Sequence, residues 1–316
     1  MTGTFLGNAW GFGWGHGACN GPPRHNHPIM QTHVFWRLLF GLRDRGQSLG
    51  LTLCLAGALG VAPIAQGSVG AAGASNPAGI DWVPLSGFSL ARTETTVGQF
   101  RRFAQATGSL TRAEREGGGA VFEAGWVQKP GWTWAAPFGG APGRTADDEP
   151  AVHIGFDEAQ AFCRWAGGRL PTDAQWVSAA YTEQRRTPPA GFSTGLSYRY
   201  PTGDSPQGAQ CLADCGAAAQ QRALRHGASL SRGPGHARVA QTPAGVNGLH
   251  DMGGNAWEWV DEPQSTGTAD AGRAERRTRG GSWWYGAAQM QADHLQGKPA
   301  DTAVVYIGFR CAKAAH

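Results

Sequence analysis

Apolar residues recur with helical spacing in three segments of the chain. Thr96-Val97-Gly98-Gln99 is a capping-box sequence, in which the threonine and glutamine side chains satisfy backbone N–H groups left free at a helix start. It predicts a helix with Val97, Phe100, Phe103 and Ala104 on one face and an end near Gly108. Between Asp157 and Ala166, Ala159, Phe162, Cys163 and Ala166 share a face at i, i+3, i+4 and i+7. That helix stops at Gly167-Gly168. Thr172-Asp173-Ala174-Gln175 is a second capping box leading into Trp176 and Ala179-Ala180, with Pro171 marking the boundary. From Pro188 to Gly245 the periodicity disappears. Long irregular segments of this kind line ligand surfaces or belong to a fold that tolerates them.

The amino-terminal quarter shows a different pattern. Arg37, Arg43 and Arg45 precede an apolar run from Leu49 to Ala65, followed by small residues including Ala72-Gly73-Ala74. This order reads as an export signal with cleavage near Ala74. The run is rich in Gly and Ala and broken by Pro63, so a stable membrane span is not expected in the mature form. The expected organisation is a spurious upstream leader over 1–29, with translation starting at Met30, then signal and linker over 30–74 and one domain over 75–316. The expected location is the periplasm or the exterior. The His16, Cys19, His25 and His27 tract falls in the leader and reads as unstructured sequence rather than a metal site.

Composition narrows the fold. Forty-nine glycines, nineteen prolines and 16% charged residues suit a loop-rich α+β fold with short strands rather than a helical bundle. All thirteen tryptophans except Trp10, Trp14 and Trp36 lie in the final domain, enough aromatic bulk for a sizeable core. A net charge of +4, with no Lys/Arg cluster interleaved with aromatics, excludes nucleic acid as the expected partner. Four cysteines follow the cleavage point: Cys163, Cys211, Cys215 and Cys311. An even number in an exported chain favours disulfides. Cys211 and Cys215 are read as a local loop staple or as a two-cysteine metal site, although no second pair completes the latter.

Three ordered blocks carry a family resemblance. They are Gly254-Asn255-Ala256-Trp257-Glu258-Trp259, Arg279-Gly280-Gly281-Ser282-Trp283 and Ile307-Gly308-Phe309-Arg310-Cys311. With Phe162-Cys163-Arg164-Trp165 and Arg169-Leu170-Pro171-Thr172, they resemble the formylglycine-generating enzyme (sulfatase-modifying factor) family over roughly 81–313. The resemblance implies a complex C-type lectin-like fold with little regular secondary structure, and a Cys163–Cys311 disulfide. It also implies two copper-binding cysteines after Gly-Gly-Ser, where this chain has Tyr285 and Met290. Soft thiolates hold Cu(I), and neither a phenol nor a thioether replaces them fully. Copper and formylglycine generation are therefore not expected.

Calcium is the cofactor the resemblance implies most directly, at Gly253, Gly254, Asn255, Ala256 and Glu258. The bland alternative has Glu258 accepting backbone N–H groups. Ser282 matches the family's active-site serine, or simply shapes a Gly-Gly-Ser turn. Trp283, Trp284, Tyr306 and Lys298 are candidate pocket residues, and Ser282, Tyr285, Asp293 and His294 candidate catalytic ones. The alternative makes the tryptophans core anchors and Asp293 and Lys298 solvated charges. His294 beside Asp293 could serve as a general base, or as part of an iron site with His153 or His250. The expected function is an exported non-copper oxidase, iron being one candidate metal, or a maturation factor acting on a protein or peptide-derived substrate. The competing expectation is a non-catalytic, lectin-like binding or accessory module.

Overall fold

The computed structural model describes residues 76–140, 143–263 and 274–315. The leader, the export signal and the cleavage point near Ala74 lie outside the described residues. Five helices are described: α1 (Val97–Thr107), α2 (Arg112–Arg115), α3 (Phe156–Trp165), α4 (Asp173–Tyr181) and α5 (Ala218–Arg222). The strands are short: β1 (Trp82–Leu85), β2 (Phe88–Ala91), β3 (Ala120–Phe122), β4 (Trp126–Gln128), β5 (Trp257–Pro263), β6 (Glu275–Arg279), β7 (Gln296–Pro299), β8 (Ile307–Gly308) and β9 (Ala312–Ala314). They form a three-stranded sheet β1-β2-β9, a β3-β4 hairpin and a four-stranded sheet β7-β6-β5-β8. This is an α+β architecture with long irregular connections, and among the described residues no helix is long and apolar enough to cross a membrane.

The three helices anticipated from spacing are present. Thr96 caps α1 and Thr172 caps α4, each with its glutamine returning the bond, and Gly108 ends α1 in the left-handed conformation. Helix α3 starts at Phe156, one residue before Asp157, because Glu158 accepts the Gly155 N–H at 2.8 Å. Helix α2 has its own Thr111–Glu114 capping box, a pattern also present in the sequence.

The faces of α1 and α3 meet in one aromatic core. Phe100 stacks on Phe162 at 5.7 Å, and Phe309 packs against both. The Cys163–Cys311 disulfide ties α3 to the segment just before β9 across 148 residues. Cys211–Cys215 forms the local staple. The longer bridge removes far more freedom from the unfolded chain, on the order of 4–5 kcal/mol in the chain-entropy model.

At the centre, Arg310 is fully buried and donates to both oxygens of Glu258 at 2.7–2.9 Å. Its remaining N–H groups go to the carbonyls of Ala91, Arg92 and His250. Trp176 Nε1 donates to Glu258 Oε2 at 2.7 Å, so α4 is fixed to the same carboxylate. Gly254 occupies positive φ (82°) where a side-chain carbon would lie 2.3 Å from the Gln210 carbonyl, so only glycine lets these segments pair.

Two stability outcomes are expected. Replacing Cys163 and Cys311 with Ala should lower the denaturation midpoint by the equivalent of about 4–5 kcal/mol; an unchanged midpoint contradicts the assigned role. Glu258→Gln should cost about 3–5 kcal/mol, because it leaves the Arg310 guanidinium buried and uncompensated. Urea unfolding of the variant measures it, and a loss below about 1 kcal/mol, the scale of exposed pairs, counts against the pair's central place.

Candidate functional site

The segment from Ser282 to Met290 shows what stands at the positions the resemblance assigns to thiols. Ser282 is buried in a turn, where its carbonyl accepts the Tyr285 N–H at 3.0 Å and its hydroxyl accepts the Trp284 N–H at 3.3 Å. Trp283, Trp284 and Tyr306 are all essentially fully buried, with Trp284 stacked on Tyr306 at 5.6 Å. They are core anchors rather than walls of an open pocket. Tyr285 is half-buried against Tyr306 and Trp257, and burial raises its phenol pKa against the opposing hydrogen bond from Tyr306.

Two further elements close over this segment, and neither was foreseen from sequence. Arg232 lies 5.5 Å from the ring centres of both Trp284 and Tyr285 and donates to the Trp284 carbonyl. The Cys211–Cys215 loop reaches it too: the Leu212 N–H donates to the Tyr285 carbonyl, and Cys215 Sγ is 3.9 Å from Met290 Sδ. Copper chemistry of the thiol type does not fit here, because the position offers a phenol and a thioether beside a closed disulfide.

The structure does not gather the residues anticipated for iron. His294 lies on Trp257 at 5.8 Å, and burial lowers its pKa, with Asp293 opposing. Asp293 itself is exposed. His153 Nε2 donates to the Pro137 carbonyl, and His250 Nδ1 donates to that of Thr242. Among the described residues no group of three or more His, Cys, Asp or Glu side chains is placed to hold an ion. The imidazoles that do converge are others. His226 and His236 each donate Nε2–H to the buried carboxylate of Glu149 at 2.9 Å. Burial pushes that carboxyl up, but these bonds and the Ala146 N–H outweigh it and hold its pKa at about 2. The three residues are far apart in sequence, and nothing in their spacing marked them.

The turn anticipated for calcium is satisfied within the protein. Both Glu258 oxygens are taken by Arg310 and Trp176. Asn255 accepts the Ala237 N–H and donates to Glu94, which also accepts the Ala256 N–H. Gly253, Gly254 and Ala256 keep their backbone places in the turn, but the turn offers a cation no free carboxylate.

An open concavity lies elsewhere. A cavity of about 430 Å³ is lined by Arg112, Trp126, Gln128, Lys298, Asp301 and Thr302, among others. The β3-β4 hairpin supplies Trp126, which is 57% exposed and packs edge-on against the exposed Phe122 at 5.4 Å. Strand β7, an edge of the four-stranded sheet, supplies Lys298 opposite Arg276. Arg112 is engaged by Glu116 and Asp301. Burial lowers the Lys298 pKa, and Glu275 is the charge that opposes this. Of the residues placed in a pocket from sequence, Lys298 lines this cleft and Trp283, Trp284 and Tyr306 do not.

Comparison with known proteins gives a consistent result. The family model described as the sulfatase-modifying factor enzyme 1-like domain matches residues 61–315. The formylglycine-generating enzyme of Thermomonospora curvata is 30% identical over 287 residues, covering 73% of this chain and 83% of that protein. The inactive C-alpha-formylglycine-generating enzyme 2 of Mus musculus is 28% identical over 265 residues, covering 74% and 77%. Among solved structures, PvdO from Pseudomonas aeruginosa overlaps at a TM-score of 0.47 and 16% identity, covering 72% of this chain and 80% of that one.

One pH dependence follows from the core around this site. Burial lowers the pKa of His153 from 6.5 to about 4, so the folded protein keeps it neutral while the unfolded chain takes up a proton. Its contribution to stability is therefore complete above pH 6.5 and is lost progressively as pH falls towards 4. His153→Asn, which tolerates the positive φ (59°) of this position, should flatten that part of the stability–pH curve. Thermal denaturation between pH 4 and 7 measures it, and parallel curves for the two proteins would contradict the assignment.

Proposed function

Because the chain belongs to the formylglycine-generating enzyme (sulfatase-modifying factor) family, we propose that it is an exported maturation factor working without the thiol–copper route. It recognises a protein or peptide-derived substrate in the cleft between Lys298 and Trp126. The observation that carries this reading is a displacement. The Tyr285 and Met290 positions are packed under Arg232 and the Cys211–Cys215 loop, while the open concavity lies at the edge of β7. The two disulfides support export, since such bonds persist in oxidising compartments. A binding or accessory module that performs no chemistry would use the same cleft, and it is the second reading. It draws on the similarity to the mouse protein that is itself called inactive.

The test of the first element is direct. Purified protein supplied with Cu(I), oxygen and a cysteine-containing sulfatase peptide should leave the cysteine unconverted, as read by peptide mass. Conversion to the aldehyde would overturn the proposal.

A further inference from the structure

We propose that Lys298 is an imine-forming amine and that the cleft takes an aldehyde or ketone with a flat apolar body. The inference rests on the reading of that cleft as the ligand site and adds the class of ligand and the bond it forms. The chain contains three lysines, Lys129, Lys298 and Lys313, against a much larger number of arginines. Lys129 pairs with Glu123 at 2.9 Å and lies over Trp132, and Lys313 lies 5.1 Å from the Trp82 ring centre. Among the described residues Lys298 makes neither an ion pair nor a ring contact. It is a half-buried amine on a strand edge, lining a cavity large enough for a small ligand.

The surroundings argue against an anionic ligand for this amine. Glu116 and Asp301 line the same cavity, and Arg112 already engages both. An incoming carboxylate would meet those two acids, and the nearby Glu275 adds a third negative charge. A neutral carbonyl compound meets no such repulsion. Trp126 offers a face for its apolar body, and Thr302 lines the cleft beside Gln128, whose amide nitrogen already donates to the Glu116 and Gly118 carbonyls. Burial disfavours the ammonium form and so favours the free amine that adds to a carbonyl, with Glu275 opposing it.

The chemistry balances without an external oxidant. The Lys298 lone pair adds to the carbonyl carbon, a C–N bond forms, and the amine proton passes to the oxygen to give a carbinolamine. Loss of that hydroxyl with a proton, as water, leaves the imine. Hydride from cyanoborohydride would reduce the C=N bond and fix the ligand as a secondary amine.

The full-length protein is treated with benzaldehyde and sodium cyanoborohydride near neutral pH, and labelled peptides are mapped by mass spectrometry. Calorimetry with benzyl alcohol, similar in shape but without a carbonyl, reports occupancy of the cleft independently. Label should concentrate on Lys298 over Lys129 and Lys313 and be lost in Lys298→Met. In Trp126→Ala it should fall at Lys298 while the other two lysines are unchanged. Equal labelling of all three lysines overturns the proposal. Binding of benzyl alcohol without label on Lys298 overturns imine formation and leaves the cleft as a ligand site. Absence of both binding and label overturns both readings.

Discussion

At the centre of the fold, fully buried Arg310 and Glu258 form an ion pair that joins five segments of the chain. Two charges removed from water are costly unless every donor and acceptor finds a partner. Here the guanidinium serves Glu258 and three backbone carbonyls, and the carboxylate takes the Trp176 indole as well. Those bonds converge from β2, β5, α4, the turn before Gly253 and the C-terminal segment. A loop-rich chain with strands of two to seven residues has few long ladders to hold it. A saturated ionic centre supplies what regular secondary structure does not, and the neighbouring disulfide between Cys163 and Cys311 keeps the C-terminal segment in place around it.

That centre also explains why the turn preceding Trp257 reads poorly as a cation site. The glutamate that would bind an ion is the counter-charge of Arg310, and Asn255 is spent on Ala237 and Glu94. A further buried acid, Glu94, stays protonated more readily than usual because burial and the nearby Asp251 and Glu258 all raise its pKa. The Glu258 and Asn255 side chains of this turn are thus committed within the chain.

The fold was legible in the sequence where local rules act alone. Capping boxes at Thr96 and Thr172 and the apolar face through Phe162 and Cys163 name their helices because backbone N–H groups and a 3.6-residue period demand them. The Thr111–Glu114 box obeys the same rule for α2. The candidate site was legible only in part. Lys298 is at a cleft, but its companions Trp126, Gln128 and Arg112 come from a hairpin and a short helix more than 150 residues earlier. Trp283, Trp284 and Tyr306 sit close in sequence to Lys298, yet the turn at Ser282 directs the two tryptophans into the core, and Tyr306 is held there beside Trp257 just before β8. The Glu149–His226–His236 cluster is set by tertiary contacts that no spacing encodes.

The chain keeps its family's scaffold, and under the proposed function its working surface is the cleft at Lys298 and Trp126, away from any redox-metal centre. Elemental analysis of the purified, exported protein for copper and iron tests this most directly. Neither metal should be present at a stoichiometric level, before or after incubation with the free ions and desalting. One equivalent of either, retained through desalting and lost on replacing Tyr285 and Met290 or His226 and His236, would contradict it.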